Sequence, residues 1–224
     1  VGSEMCIRDS VHTSHSDSSG SVDEVLEEAR RKGLDGVAIT DHKTIRGAQE
    51  ALKKRGDLII IPGQEVRTEQ CEILALGIKR KIEDDLPVLE AIKRIHAQHG
   101  LAVLPHPTVP FFSNLNENVM KSMPLDGIEV FSSITPFPWY FLRKNMKLAC
   151  KLGIPILAGS DSHAAETVGD AYTIIRCGER RIKDIIRAIK LGETSIGGGS
   201  SKLTFKIKMI RHIVSHIFLQ RSMH

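Results

Sequence analysis

Close cysteine pairs are missing from this chain: Cys6, Cys71, Cys150 and Cys177 are scattered over 224 residues. That spacing excludes a disulfide framework and a CxxC zinc site, and points to reduced thiols. Also missing is any run approaching the roughly 18 consecutive apolar residues that cross a bilayer, and the first residues lack the basic-then-apolar layout of a signal peptide. A cytoplasmic protein without a membrane span is the expectation. Aromatics are sparse, at 4% of residues, whereas single-strand grooves interleave basic residues with stacking aromatics. Neither GxGxxG nor a Walker-type GxxxxGKS/T follows any apolar run, so a nucleotide-cradling fold loses support. Acidic residues are absent from 202–224, where Lys202, Lys206, Lys208, Arg211 and Arg221 fall, leaving 26 basic against 27 acidic residues elsewhere. The formal charge of +4 therefore belongs to a basic tail on a neutral body, and stable duplex nucleic acid is not an expected partner.

What is present is enough apolar residue, 41%, for one full core at this length. "SVDEVLEEARRKG" opens with Ser21 and has Glu24 three residues on, a capping box followed by Val22, Val25, Leu26 and Ala29 at helical spacing. "GVAIT" (36–40) is a short buried strand ending at Asp41 and His42. The unit recurs: a helix around 45–55, strand 58–62, strand 72–78, helix 86–99, strand 101–105, strand 126–131, helix about 138–152, strand 154–159, strand 171–177 and helix 181–191. Alternation of this kind predicts a parallel sheet covered by helices and closed into a barrel. Gly197, Gly198 and Gly199 suggest a linker to the tail, whose Leu203, Phe205, Ile207, Ile210, Ile213, Val214, Ile217 and Phe218 make an amphipathic pattern.

In such barrels, side chains at the carboxyl ends of strands converge on one mouth. His12 and Asp17 follow the first short strand, His42 the second and Glu65 the third; His106 and the pair Asp161 and His163 follow later ones, and Glu72 starts the 72–78 strand. Any one of these is an ordinary hydrogen-bonded residue, but their shared placement at strand ends points to one site. Imidazole and carboxylate donors suit Zn²⁺, Mn²⁺ and Fe²⁺, and the lack of thiolates argues against a structural zinc.

The ordered motifs "HTSHSD", "AITDH", "IPGQEV", "ILALGI", "VLPHP" and "AGSDSH" resemble the PHP family, the polymerase and histidinol phosphatase domain superfamily, over about residues 10–199. The resemblance implies an α/β fold, a distorted (β/α)7 barrel holding two or three divalent ions that hydrolyse phosphoesters. It makes His12 the second histidine of the opening HxH, Asp17 the carboxylate after it, and His42 the histidine of TDH. Glu65 becomes a bridging carboxylate, His106 the histidine of the HP motif, and Asp161 with His163 the closing pair. Two positions depart: Ser10 stands where the family has its first histidine, and Glu72 where it usually has another. A carboxylate at 72 is still a hard-metal donor and tilts preference toward manganese or iron. A hydroxyl at 10 is a poor donor. The opening "VGSEMCIRDS" resembles a translated sequencing-adapter scar, so residues 1–10 are left out of the fold, and the expected native residue at 10 is histidine. This gives a single phosphoesterase domain over 11–199 and a basic amphipathic tail over 200–224.

The expected activity is hydrolysis of a phosphomonoester or small phosphodiester through a metal-bridging hydroxide. His12, Glu65 and Asp161 would hold one ion, Glu65, Glu72 and His106 the second, and Asp17, His42 and His163 a third. Arg67 is the first candidate for gripping the substrate phosphate, with Arg46 and Arg143 behind it; His15 is expected beside the ligands without binding metal. His96 and His99 look like surface residues, and Glu129 is given no role. Two rivals stand: a 3′-end exonuclease on short oligonucleotides, for which "PHPTVPFFSN" and "TPFPWYF" could form a stacking wall, and a degenerate barrel serving as a binding module through its tail.

Overall fold

Short apolar runs bounded by glycine or polar residues become strands, and the amphipathic stretches between them become helices. The computed structural model describes residues 3–109 and 115–207. In chain order the elements are β1 (Ser3–Val11), α1 (Val22–Arg31), β2 (Gly36–Ile39), α2 (Arg46–Lys54), β3 (Ile59–Arg67), β4 (Glu72–Leu76), α3 (Val88–His96) and β5 (Leu101–Leu104). Then follow α4 (Glu117–Ser122), β6 (Gly127–Ser132), α5 (Pro138–Leu152), β7 (Ile156–Gly159), a 3-10 turn (Ala165–Thr167), β8 (Ala171–Cys177), α6 (Ile182–Lys190) and β9 (Thr194–Gly198). The capping box is present: Glu24 N–H donates to the Ser21 hydroxyl, and Ser21 N–H donates to the Glu24 carboxylate. Among the described residues, no helix is long and apolar enough to cross a membrane.

The strands form one nine-stranded sheet in the order β7-β6-β5-β4-β3-β2-β1-β8-β9. Four neighbouring pairs are parallel: β1/β2, β2/β3, β5/β6 and β6/β7. The other four, β3/β4, β4/β5, β1/β8 and β8/β9, are antiparallel, which corrects the fully parallel expectation. Only residues 68–71 join β3 to β4, too few for a parallel crossover of a dozen residues. The two ends of the sheet approach each other and nearly close the barrel. Val11 bridges Ser162 in parallel, His12 N–H donates to Ser162 O at 3.0 Å, and Ala158 N–H donates to the Thr173 hydroxyl at 2.8 Å.

Two segments take different places from those expected. The opening stretch left out of the fold supplies β1, with Met5 and Ile7 buried between β2 and β8. Gly197 and Gly198 are not linker but the end of β9, paired with Tyr172 and Ala171. The tail begins by packing on the body: Ser201 N–H donates to Ser133 O, and Lys206 Nζ donates to Thr135 O at 2.8 Å. Ile210, Ile213, Val214, Ile217 and Phe218, like Phe111 and Phe112, lie outside the described residues.

Strand alternation sorts side chains into an interior and an exterior layer. Met5, Ile7, Ala38, Ile61, Leu74, Val103 and Leu157 meet inside, where Ile185, Ala188 and Ile189 of α6 join them. Val37, Ile39 and Ile60 face α1 and α2, while Ile73, Ala102, Ile128 and Val130 face α3 and α5. Each fully buried isoleucine or leucine contributes roughly 1.5–3 kcal/mol. The same alternation places Glu65 in phase with Ile61, Glu72 with Leu74, and Glu129 opposite to Ile128 and Val130. Three carboxylates therefore enter the barrel from three different strands.

Candidate metal centre

His12 leaves the end of β1 and is completely buried among carboxylates. Its Nε2 is 3.1 Å from Glu65 Oε2 and 3.4 Å from Asp161 Oδ1, and its Nδ1 is 3.5 Å from Asp17 Oδ1. Neither ring nitrogen makes an aligned hydrogen bond. The His163 and His42 rings pack on it with centroids 4.4 and 4.7 Å away. Asp17 Oδ2 is 3.2 Å from His163 Nε2 and 3.7 Å from His42 Nε2, and Glu65 Oε1 is 3.7 Å from His106 Nε2.

The eight residues expected to be donors come together as three groups that could each hold a cation: His12, Asp17, His42 and His163; His12, Glu65 and Asp161; and Glu65, Glu72 and His106. Within a group the donor atoms lie within 4.8 Å of one another. His12 and Glu65 each belong to two groups, so the three are linked. Two donors sit on strained backbone, His106 at φ 29° and Asp161 at φ 50°. Such left-handed residues cost of order 1–3 kcal/mol each and cluster at functional sites.

The loop 12–17 is shaped by Asp41, which follows β2 and to which the sequence pattern assigns no role. Its carboxylate accepts from Thr13 N–H at 2.7 Å, from the Thr13 hydroxyl at 2.8 Å and from the Ser16 hydroxyl at 2.9 Å. A Cβ on Gly47 would lie 2.0 Å from Asp41 Oδ2 and 2.6 Å from Thr13 Oγ1. Since Asp41 is tethered and cannot yield, Gly47→Ala is expected to lower stability by about 1–3 kcal/mol and to weaken divalent-metal binding. Urea unfolding beside a metal titration checks this, and unchanged values would show that the loop can move.

Glu129 was given no role, yet its Oε2 accepts the His106 backbone N–H at 3.1 Å and its Oε1 is buried without a hydrogen bond. A Cβ on Gly159 would meet that Oε1 at 2.5 Å and Ser10 Cβ at 3.2 Å, so Glu129 and Ser10 flank the same glycine. Its position on the inner parity of β6 was the available signal. Arg67, by contrast, closes a two-point pair with Asp85, Nε to Oδ1 and Nη2 to Oδ2 at 3.0 Å each. His15 pairs with Glu50, which is outside the three donor groups, and His96 is engaged by Asp126 at 2.7 Å.

Protons balance the buried charges. Burial disfavours the charged form of His106, but Glu65, Glu129 and Asp161 outweigh it and push its pKa up to about 10. Burial followed by the Glu65 charge pushes Glu72 up to about 8, and burial lifts Glu129 to about 7. Despite burial, Asp17 is held below the usual carboxylate range by His163, and Glu65 by His106 and His12. The unfolded chain titrates near 4.5 at glutamate and 6.5 at histidine. Between those values and the folded ones the native state binds more protons, so stability must fall as pH rises. The His106 contribution is complete below about 6.5 and is lost through about 10. The burial cost of charged Glu72 is absent below about 4.5 and complete above about 8. Asp17 and Glu65 act oppositely, losing their stabilisation in acid. The metal-free melting temperature is therefore expected to peak near pH 5 and decline toward pH 9, with added Mn²⁺ widening its advantage as pH rises. Melts in EDTA and in Mn²⁺ across that range test it; a metal-free curve that is flat or rises with pH would contradict the proton balance.

The PHP domain model matches residues 10–108, and the PHP-associated model matches residues 139–194. An uncharacterized protein of Methanocaldococcus jannaschii is 39% identical over 111 residues, which are 49% of this chain and 64% of that protein. Two solved structures share the fold. One is a two-domain protein from Bacteroides vulgatus containing a predicted PHP-like metal-dependent phosphoesterase (TM-score 0.74, 15% identity, 88% of this chain and 66% of that one). The other is a lesion-specific endonuclease from Pyrococcus furiosus (TM-score 0.67, 17% identity, 87% of this chain and 58% of that one). The chain thus spans about two thirds or less of the length of each of these relatives. It carries a match to the PHP domain over residues 10–108 and to the PHP-associated segment over 139–194, on the barrel fold shared with those two structures.

Proposed function

We propose that the three linked donor groups hold two or three divalent cations and that the protein hydrolyses a phosphomonoester or small phosphodiester there. One observation carries this reading: His12 and Glu65 each serve two groups, the linked arrangement expected of a multinuclear hydrolytic centre. The donor set fits cations, since both His12 nitrogens are buried against three carboxylates without an aligned hydrogen bond. His12, Glu65 and Asp161 would hold one ion, Glu65, Glu72 and His106 a second, and Asp17, His42 and His163, with His12 as the shared member, a third. When bound, such ions supply Lewis acidity toward phosphoryl oxygens and lower the pKa of coordinated water.

The protein's own part is to orient, to keep water out and to hold protons. Glu129 fixes the His106 peptide, and Asp161 O is 3.0 Å from His163 Nδ1, which sets that imidazole's orientation. Glu72, protonated near neutrality by burial and by Glu65, would give up its proton as cations load. The donors, carboxylate and imidazole with no thiolate, suit Mn²⁺, Fe²⁺ or Zn²⁺, and the carboxylate at 72 tilts the second group toward manganese or iron. For Arg67 to reach a substrate phosphate, its pair with Asp85 would have to open.

The deciding measurement is metal content after purification in Mn²⁺ or Zn²⁺, followed by a screen of phosphomonoesters and short oligonucleotides. It should be run on the unmodified chain and on Ser10→His. Bound divalent ions and phosphate release abolished by EDTA are expected in at least the repaired protein. Metal-free protein in both cases would overturn the reading, and metal-loaded protein inactive on every ester would favour a binding module.

A further inference from the structure

Half of the chain's aromatic residues fall between 131 and 141: Phe131, Phe137, Trp139, Tyr140 and Phe141 are five of ten. They occupy the end of β6 and the first turn of α5, hence the mouth end of the barrel, because α5 follows the carboxyl end of an inward-lining strand. The chain path from the donors is short: Ser133 N–H donates to Gly159 O, two residues before Asp161. Three of the rings face solvent, with Phe137 79% exposed, Trp139 58% and Tyr140 57%. Phe137 is also held at φ 52°, ψ 52° between Pro136 and Pro138, a conformation unfavourable for a bulky side chain. Exposure and strain both work against the fold here, and contiguous exposed apolar surface marks an interaction site.

The platform is backed rather than loose. Trp139 tilts onto buried Phe131 with centroids 5.2 Å apart, and Tyr140 meets the edge of Phe141 at the same distance. The helix continues with cations. Arg143, Lys144 and Lys147 are exposed, no Asp or Glu occurs anywhere from 130 to 160, and none of the three has an ion-pair partner among the described residues. Lys144 Nζ stands 5.1 Å from the Tyr140 ring centroid. Residues 140, 144 and 147 lie on one face of a helix, so aromatic and cationic groups succeed one another along a line leading away from the mouth.

We propose that this face of α5 binds a single-stranded oligonucleotide, its bases stacking on Trp139 and Tyr140 and its backbone phosphates meeting Lys144 and Lys147. The charge complementarity of an acid-free basic helix favours a polyanion over a second copy of this near-neutral barrel. Aromatic faces interleaved with cations are the recurring means of holding single strands. The inference rests on the phosphoester reading for what happens to a strand end that enters the donor cluster, and it narrows the substrate class to single-stranded nucleic acid or its short fragments.

Trp139 is the only tryptophan, so its emission reports contact at this face alone. Fluorescein-labelled single strands of about ten nucleotides, one deoxy and one ribo series, are titrated into the full chain in EDTA while anisotropy and tryptophan emission are followed. Saturable quenching with the same midpoint as the anisotropy is expected. Tyr140→Ala and, by anisotropy, Trp139→Ala should each weaken binding about tenfold. Lys144→Ala combined with Lys147→Ala should make the salt dependence shallower by about 1.4 in log–log slope. The two series show whether the strand is DNA or RNA. Absence of binding overturns the proposal. So does binding that leaves tryptophan emission and the Tyr140→Ala midpoint unchanged, which would place the strand on the basic tail. A dimer that dissociates on Trp139→Ala without altered oligonucleotide affinity overturns it too, by making the face a self-association surface. Phosphate release from glycerol 2-phosphate, which has no ring, by the Mn²⁺-treated unmodified protein reports separately on the donor cluster.

Discussion

Replacing Glu65 with glutamine is expected to reduce divalent-metal affinity and phosphoester hydrolysis by more than 100-fold, beyond the 10–100-fold typical of outer-shell partners. Two donor groups share this carboxylate, and the amide that replaces it has the same size but no charge. The metal-free protein should respond as well. His12 and His106 both have their protonated forms supported by Glu65, and without it Asp161 alone remains close to His12 Nε2. Removing one partner of a buried charge pair costs about 3–5 kcal/mol when the remaining charge persists; an imidazole can instead lose its proton, which makes that figure an upper bound. Metal analysis, ester hydrolysis and urea unfolding on Glu65→Gln and the unmodified chain give the three numbers. A variant that retained its full metal complement would show that Glu65 is not a shared donor.

The opposite change is expected from Ser10→His. Position 10 is almost wholly buried on β1, two residues before His12, and its backbone oxygen accepts from Ser162 N–H at the closing seam. Gly159, without a side chain, leaves Ser10 and the Glu129 carboxylate facing the same space. An imidazole introduced at 10 would therefore meet a buried acceptor, the arrangement in which a carboxylate orients a ligating histidine. We expect Mn²⁺ affinity to rise at least tenfold and ester hydrolysis to rise with it. Overpacking would work against this by about 1–3 kcal/mol of stability, which a melt separates from the binding change. Calorimetric Mn²⁺ titration decides the matter: equal affinity for the two proteins would mean that Ser10 does not stand in a donor position.

Much of this site is legible in the sequence, because donors at strand ends leave a recurring signature of an apolar run followed by His, Asp or Glu. The helix at 22–31 was equally plain, since capping box and periodicity agree. What escaped notice has physical reasons. Glu129 lies inside an apolar strand, where only the period-2 alternation marks it as inward-facing. Arg67 looked free because its partner Asp85 is eighteen residues on, a separation that no local pattern reports. Gly197 and Gly198 looked like linker because glycine carries no periodic signal. In the sheet they allow close approach: a Cβ on Gly197 would lie 2.4 Å from the Tyr172 ring, and Gly198 holds φ 92°. The antiparallel entry of β4, β8 and β9 was hidden because apolar content does not encode strand direction. The helix at about 138–152, its Arg143 and its aromatic start stand out in the sequence, but its acid-free basic face does not, because whole-chain averages dilute a feature confined to fifteen residues.

The barrel seam has one further consequence. His12 is about 150 residues before Asp161 and His163 in the chain, and they are neighbours only because β1 and the end of β7 meet. A cation shared by such residues acts as a clasp between distant parts of the polypeptide. Its occupancy and the integrity of that junction must rise and fall together, so a chelator should loosen the seam before any other part of the wall.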